Sequence, residues 1–274
     1  MSPLALGLAL LAAFLHASWN LLLRRADDTE TTTALMVCCG CVIVAPFAIL
    51  TWSVQAAVVP YLIATWTFET TYFVLLAAAY RRAELSLVYP LARGSAPVVV
   101  LLVGVLLLGV VPTVAEGVGV VLVGVGVLLV RGLRGGTDPW AVGLALATAA
   151  AIAGYTLVDR VGITLAGALT YLELSFVVPG LLYLIAVLWT RGRIHVRAQL
   201  RPVTVVAGTL MLAAYGLVLL ALRIAPAASV AAVRESGVVM ATAMAAILLH
   251  ERVSRERFAG AILVVIGIAA LALS

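Results

Sequence analysis

Gly119-Val-Val-Leu-Val-Gly-Val-Gly126 returns 141 residues later as Gly260-Ala-Ile-Leu-Val-Val-Ile-Gly267. Each stretch is apolar, with glycines two helical turns apart on one helix face. The same displacement lays Arg82 on Arg223, Arg93 on Arg234 and Ser95 on Ser236. Upstream, a displacement of 136 lays Gly7-Leu-Ala-Leu10 on Gly143-Leu-Ala-Leu146, Trp19 on Tyr155 and Arg24 on Arg160. The chain therefore reads as a duplication, with a first repeat over residues 1–136 and a second over 137–274.

Composition says what the repeats are made of. Of 274 residues, 65% are hydrophobic and 11% charged, against roughly half and a quarter in soluble domains. A soluble fold of this length cannot hide so much apolar surface. That excludes a soluble enzyme, a disordered chain and, despite the net charge of +5, a nucleic-acid binder. The expected fold is an all-α integral membrane protein of ten transmembrane helices, arranged as two five-helix repeats around a central cavity. The expected spans are Pro3–Leu23, Thr32–Trp52, Val58–Tyr80, Leu85–Leu108, Thr113–Val130, Pro139–Val158, Leu165–Trp189, Val203–Leu222, Ala227–Leu249 and Arg257–Leu273. The first lacks a charged leader and runs directly into Arg24-Arg25, so it reads as a span and not a signal peptide. Five spans per repeat is an odd number, so the second repeat enters the membrane inverted, an architecture used by transporters.

Local chemistry marks some ends. Asp138-Pro139 reads as an N-cap followed by proline at the first helical position, and Thr113-Val-Ala-Glu116 as a capping box after Pro112. All 17 basic residues are arginine, which reads as the composition of a GC-rich genome. Loops one, three, five, seven and nine carry Arg24, Arg25, Arg81, Arg82, Arg131, Arg134, Arg191, Arg193, Arg197, Arg201, Arg252, Arg255 and Arg257; the even loops carry only Arg160 and Arg223. Basic residues favour the cytoplasmic side, so both termini are expected to be non-cytoplasmic in a plasma (inner) membrane. Cys38, Cys39 and Cys41 have no His or carboxylate nearby in sequence and read as small packing residues; no metal or other cofactor is expected.

Three stretches carry a resemblance: Leu15-His-Ala-Ser-Trp-Asn20, Val88-Tyr-Pro-Leu-Ala-Arg-Gly-Ser-Ala-Pro97, and Val233-Arg-Glu-Ser236 through Leu249-His-Glu-Arg-Val-Ser254 to the closing Gly260–Gly267 helix. With the span number and duplication, the sequence resembles the EamA-type branch of the drug/metabolite transporter superfamily. It departs from that pattern at Gly109-Val-Val-Pro112, where Gly-Glu-Arg is common, and at Ser53–Ala57, where many relatives carry basic residues. The second departure agrees with the arginine-based orientation. The resemblance implies a ten-helix carrier of small organic solutes, most often outward.

Ionisable residues deep in a bilayer are costly, about 2.5–3.5 kcal/mol each on insertion scales, and face a bundle interior or wet cavity. His16, Glu69, Arg93, Glu173, Arg234 and Glu235 fall within the spans. Trp66, Glu69, Thr70 and Phe73 share one face of the third span, with Tyr72 beside it; His16, Trp19, Asn20 and Leu23 repeat that spacing in the first. A carboxylate among aromatics suits an organic cation, or a proton taken up as the cavity changes sides; the alternative is a permanent pair with an arginine. Arg93 and Arg234 either brace the structure or recognise an anion. As neighbours, Arg234 and Glu235 point about 100° apart on one helix and are expected not to pair, Glu235 instead bracing Arg93 or a polar group on the seventh span. His16 is either a packing or a titrating residue. Tyr89, Tyr155 and Tyr215 either line the cavity or anchor at the membrane interface, Glu173 is either a cavity residue or a membrane-edge carboxylate, and with Ser236 they complete the expected substrate-binding set. The glycine stripes of the fifth and tenth helices are expected to give scaffold or dimer contact.

No nucleotide-binding loop and no His-Glu-x-x-His motif occurs, which leaves a secondary transporter of amino acids, their derivatives or organic cations. It would rock about Pro90, Pro97 and Pro226. Its partners would be the substrate, the bilayer and a coupling proton, with no nucleic acid, in a monomer or homodimer. The alternatives are a lipid scramblase, a channel-like pore and, last, a membrane-embedded enzyme.

Overall fold

The computed structural model describes residues 1–23, 26–80, 85–131, 138–240, 243 and 254–273. Arg24, Arg25, Arg81, Arg82, Arg134, Arg252, His250 and the far end of the expected ninth span lie outside them, as do the side chains of Phe73 and Tyr89. Among the described residues the chain is helical: α1 Pro3–Leu23, α2 Thr29–Leu50, α3 Val59–Tyr80, α4 Leu85–Leu108, α5 Val114–Arg131, α6 Pro139–Gly162, α7 Ala168–Arg191, α8 Arg193–Ala198, α9 Pro202–Ile224, α10 Ala227–Arg234 and α11 Arg255–Leu273. Six of these are long and apolar enough to cross a membrane: α1, α2, α4, α6, α7 and α9.

On α1 and the first half of α6 the packing inverts that of a soluble protein. On α1 the buried residues are Ala5, Ala9, Ala12, Ala13 and Ala17, while Leu4, Leu11 and Phe14 face outward. On α6 Ala141, Ala145 and Ala149 are inside and Trp140 and Leu146 outside. Where the surroundings are as apolar as leucine, little is gained by burying large side chains. Small ones are buried because they let helix backbones approach.

The glycine stripes do the same. A Cβ on Gly119 would stand 2.9 Å from the Gly267 carbonyl, and one on Gly267 would stand 2.7 Å from the Gly119 carbonyl. Seven residues along, a Cβ on Gly126 would stand 2.7 Å from the Gly260 carbonyl. Residue numbers rise on α5 as they fall on α11, so the two helices are antiparallel, and the expected scaffold contact is found between them. Gly94 and Gly124 join α4 to α5 in the same reciprocal way. Elsewhere α1 packs on α9, α3 and α4 on α6, α2 on α7 and α9, and α10 on α4 and α1.

The capping signals act as read. Thr113 N–H donates to Glu116 Oε2 at 2.9 Å, and Glu116 N–H donates back to Thr113 Oγ1 at 3.1 Å. Asp138 accepts from Trp140 N–H at 3.0 Å. A cap not foreseen, Asp28, accepts from the N–H groups of Glu30 and Thr31 and from the Thr31 hydroxyl. It starts α2 at Thr29, three residues before the expected Thr32.

Other boundaries move for physical reasons. α7 begins at Ala168, not Leu165, because residues 53–55 pair with 165–167: Gln55 N–H donates to Leu165 O at 2.9 Å and Gly167 N–H to Ser53 O at 2.7 Å. At the opposite end α8 was not anticipated. There Glu30, Asp28 and Asp27 meet Arg191, His195 and Arg201 at 3.0, 2.9 and 3.1 Å. The expected continuous ninth span is broken. α10 ends at Arg234, Glu235 turns its N–H back to Ala232 O at 3.1 Å, and helix resumes over residues 236–240.

Candidate functional site

The polar residues of α1, α4, α6 and the α10 break meet inside the bundle. His16 Nε2 lies 2.8 Å from an Arg93 guanidinium nitrogen. A guanidinium only donates, so Nε2 is the acceptor and His16 is the neutral Nδ1–H tautomer. Its ring meets Trp19 edge to face at 4.8 Å. Arg93 also reaches Glu235 Oε1 at 3.6 Å, the first of the two partners open to Glu235 from sequence.

Two expectations fail here. Arg234 and Glu235 were placed about 100° apart, yet Arg234 Nε stands 3.9 Å from Glu235 Oε1. Glu235 occupies the break, where its backbone stays in the right-handed helical region but its N–H bonds three residues back, to Ala232, which tightens the turn. On α3, Thr70 is exposed, whereas Thr65 and Glu69 are buried. The inward face therefore runs Leu62–Thr65–Glu69, and the grouping of Glu69 with Thr70 does not hold.

One buried candidate residue was missed altogether. Asp159 is fully buried on α6 and accepts from Thr65 Oγ1 of α3 at 2.6 Å, from the Tyr171 hydroxyl of α7 at 2.8 Å and from the Tyr215 hydroxyl of α9. The sequence reading ended the sixth span at Val158, one residue short of it. α6 runs on to Gly162 because the next residue, Arg160, turns to the end of α9, donating to Leu222 O at 3.1 Å and to Ala225 O. Arginine at a helix C-terminus satisfies the last carbonyls. Thr65 and Glu69 are one turn apart on α3, which brings Glu69 within electrostatic range of Asp159. Tyr155 accepts a hydrogen bond from Arg234, and Tyr215 is within electrostatic range of Asp159, Glu69 and Arg234.

The EamA-like transporter family model matches residues 3–132 and again 139–273. The chain belongs to the EamA-like transporter family. No curated protein matches it. One solved crystal structure superposes on 98% of this chain and 96% of its own with a TM-score of 0.77 at 16% sequence identity, a likeness of fold alone. Family and apolar helices together make this a multi-pass membrane transporter of the drug/metabolite type, and they point away from an enzyme.

Within this EamA-like transporter the remaining candidates divide by what they touch. Trp66 Nε1 donates to Leu174 O at 3.1 Å and pins α3 to α7. The Asn20 amide donates to His16 O at 2.8 Å, on its own helix. Tyr72, Tyr155 and Tyr215 pack in one cluster with Phe68, Ala96, Ala149 and Ile152, and Tyr215 meets Phe176 edge to face at 4.9 Å. Glu173 stands apart, half-buried toward Cys41 with Oε2 unpartnered. Ser236, beside the break, is buried.

Proposed function

We propose that the protein is a secondary carrier that moves small organic solutes outward across the plasma (inner) membrane by alternating access. Its solutes are amino acids, their derivatives or organic cations. The observation that carries this reading is the buried polar constellation itself. His16, Glu69 and Arg93 come from the first family match, and Tyr155, Asp159, Tyr215, Arg234 and Glu235 from the second. Charged groups this deep in a membrane bundle are retained for transport work more often than for stability.

Two inverted five-helix repeats, 1–136 and 137–274, frame that site. The pairing of elements favours them: α5 with α11 and α2 with α7 are each self-matching under exchange of the repeats, and α1 on α9 has its counterpart in α3 on α6. Ten spans follow, with both termini outside the cytoplasm. The meeting of Glu30, Asp28 and Asp27 with Arg191, His195 and Arg201 puts loops one and seven at one end. That is the partition which the arginine bias requires. Glu69 takes the coupling proton or the substrate's cationic group.

Purified protein in proteoliposomes, screened by counterflow against amino acids and organic amines, tests the reading. Saturable, electrically quiet exchange of at least one solute is expected. Lipid movement without exchange of any soluble compound would replace the carrier with a scramblase.

A further inference from the structure

Among the described residues six buried donor atoms lack an acceptor, Trp19 Nε1, Thr32 Oγ1, Ser175 Oγ, Ser229 Oγ, Arg234 Nε and Ser236 Oγ, and three of them concern the α10 break. Arg234 Nε and Ser236 Oγ are buried without a hydrogen-bond partner, in residues 7% and 4% exposed, and Trp19 Nε1 is buried and unpartnered too. Arginine and tryptophan N–H groups can only donate, and a buried donor left unpaired is destabilising.

These three share one neighbourhood. A Cβ on Gly237, next to Ser236, would stand 3.0 Å from the Ala13 carbonyl of α1. One turn further along α1, His16 contacts both Trp19 and Arg93, and Arg93 leads through Glu235 back to Arg234. Two guanidiniums, Arg93 and Arg234, approach the same oxygen of Glu235, and Asp159 lies within electrostatic range of Arg234. At 3.6 and 3.9 Å, Glu235 Oε1 sits between the guanidiniums without hydrogen-bonding either nitrogen it approaches. The next carboxylate, Asp159, is occupied by its three hydroxyls.

We propose that Arg234, Ser236 and Trp19 form an oxyanion subsite that receives a carboxylate of the transported solute, while Arg93 and Glu235 hold Arg234 in position. The proposal rests on the carrier reading and narrows it: a solute with an ammonium group and no carboxylate is not carried.

The test is thermal shift on purified protein with each of the proteinogenic amino acids and with hydrocinnamate, then with the decarboxylated amine and methyl ester of every hit, followed by counterflow of the hits. Carboxylates are expected to stabilise the protein, and their amines and esters to do so at least tenfold more weakly. Arg234→Gln and Ser236→Ala should each weaken the hits at least tenfold. Ser236→Ala should leave the ligand-free melting temperature unchanged, since it removes only an unpaired hydroxyl. A lower ligand-free melting temperature with ligand affinity intact would make these residues structural and overturn the proposal. Equal binding and exchange of amines or esters would overturn it and leave the carrier standing. Stabilisation by chloride alone, lost in Arg234→Gln and blind to carboxylates, would assign the site to an inorganic anion and overturn it as well. Binding and exchange of neither acids nor amines would overturn the carrier reading together with the subsite.

Discussion

The Tyr171 hydroxyl on α7 donates to Asp159 Oδ1 on α6 at 2.8 Å, beside the Thr65 hydroxyl that reaches the same oxygen at 2.6 Å. With Tyr215 on the other oxygen, one carboxylate fastens α3, α6, α7 and α9 together. Hydrogen bonds to a charged group contribute about 1.5–3 kcal/mol each. Asp159→Asn removes the charge and sets an N–H against a hydroxyl donor, so it should destabilise by about 3 kcal/mol, and Tyr215→Phe by less. The double variant should lose less than the sum, because the two share one network. Melting temperatures in detergent read all three, and an unchanged value for Asp159→Asn would remove this fastening role.

Glu69 lies one turn from that network, buried to 8% exposure. Glu69→Gln keeps its size and should leave the melting temperature near wild type while abolishing counterflow. Full exchange by this variant at every pH would take Glu69 out of the mechanism.

Gly126 and Gly143 make a matched comparison. Gly126→Ala forces a methyl against the Gly260 carbonyl and should destabilise by about 1–3 kcal/mol. A methyl at Gly143 meets nothing within 4 Å, so Gly143→Ala should stabilise by about 0.4–1 kcal/mol through the unfolded chain. Thermal unfolding of the two variants gives the sign directly.

Asp28 is a cap outside the membrane. The Thr31 hydroxyl, and then His195 and the Thr31 N–H, hold its carboxyl well below the usual range. A depressed carboxyl stabilises at and above the ordinary carboxylate pKa and loses that contribution only as pH falls through its own lower value. The cap should therefore be insensitive to pH between about 8 and 9. Asp28→Ala should lower stability by about 1 kcal/mol throughout that range. A loss that varied across it would contradict the assignment.

Orientation can be read chemically. With Cys38, Cys39 and Cys41 replaced by alanine, Ser53→Cys should react with an impermeant maleimide added outside intact cells, and Arg193→Cys only after lysis. The reverse pattern would invert the chain.

How much of this was legible depended on punctuation. Asp138-Pro139 and Thr113–Glu116 are chemical signals for a helix start, and the helices begin there. The glycine repeat gave the α5–α11 contact because only a missing side chain permits that approach. The break at Glu235 left no such mark: Val233-Arg-Glu-Ser-Gly237 is compatible with a helix, and packing against α1 and α4 decides otherwise. Asp159 was lost because Asp159-Arg160 looks like the polar edge of a membrane. Three hydroxyls from distant segments make it interior, and none of them is close to it in sequence. Thr70 was placed inward by spacing alone. Periodicity identifies a face but not which way that face turns.

The bundle's two ends are closed by unlike materials. At one, exposed side chains of opposite charge meet; at the other, peptide N–H groups meet peptide carbonyls. Dissolved ions screen the first kind over about 8–10 Å and leave the second untouched. If the arginine-rich end is the inner one, a cell that shrinks under osmotic stress concentrates its electrolyte against that clasp and loosens it. The other clasp, made of neutral amides, holds as before, so added salt should loosen loops one and seven while residues 53–55 stay paired with 165–167.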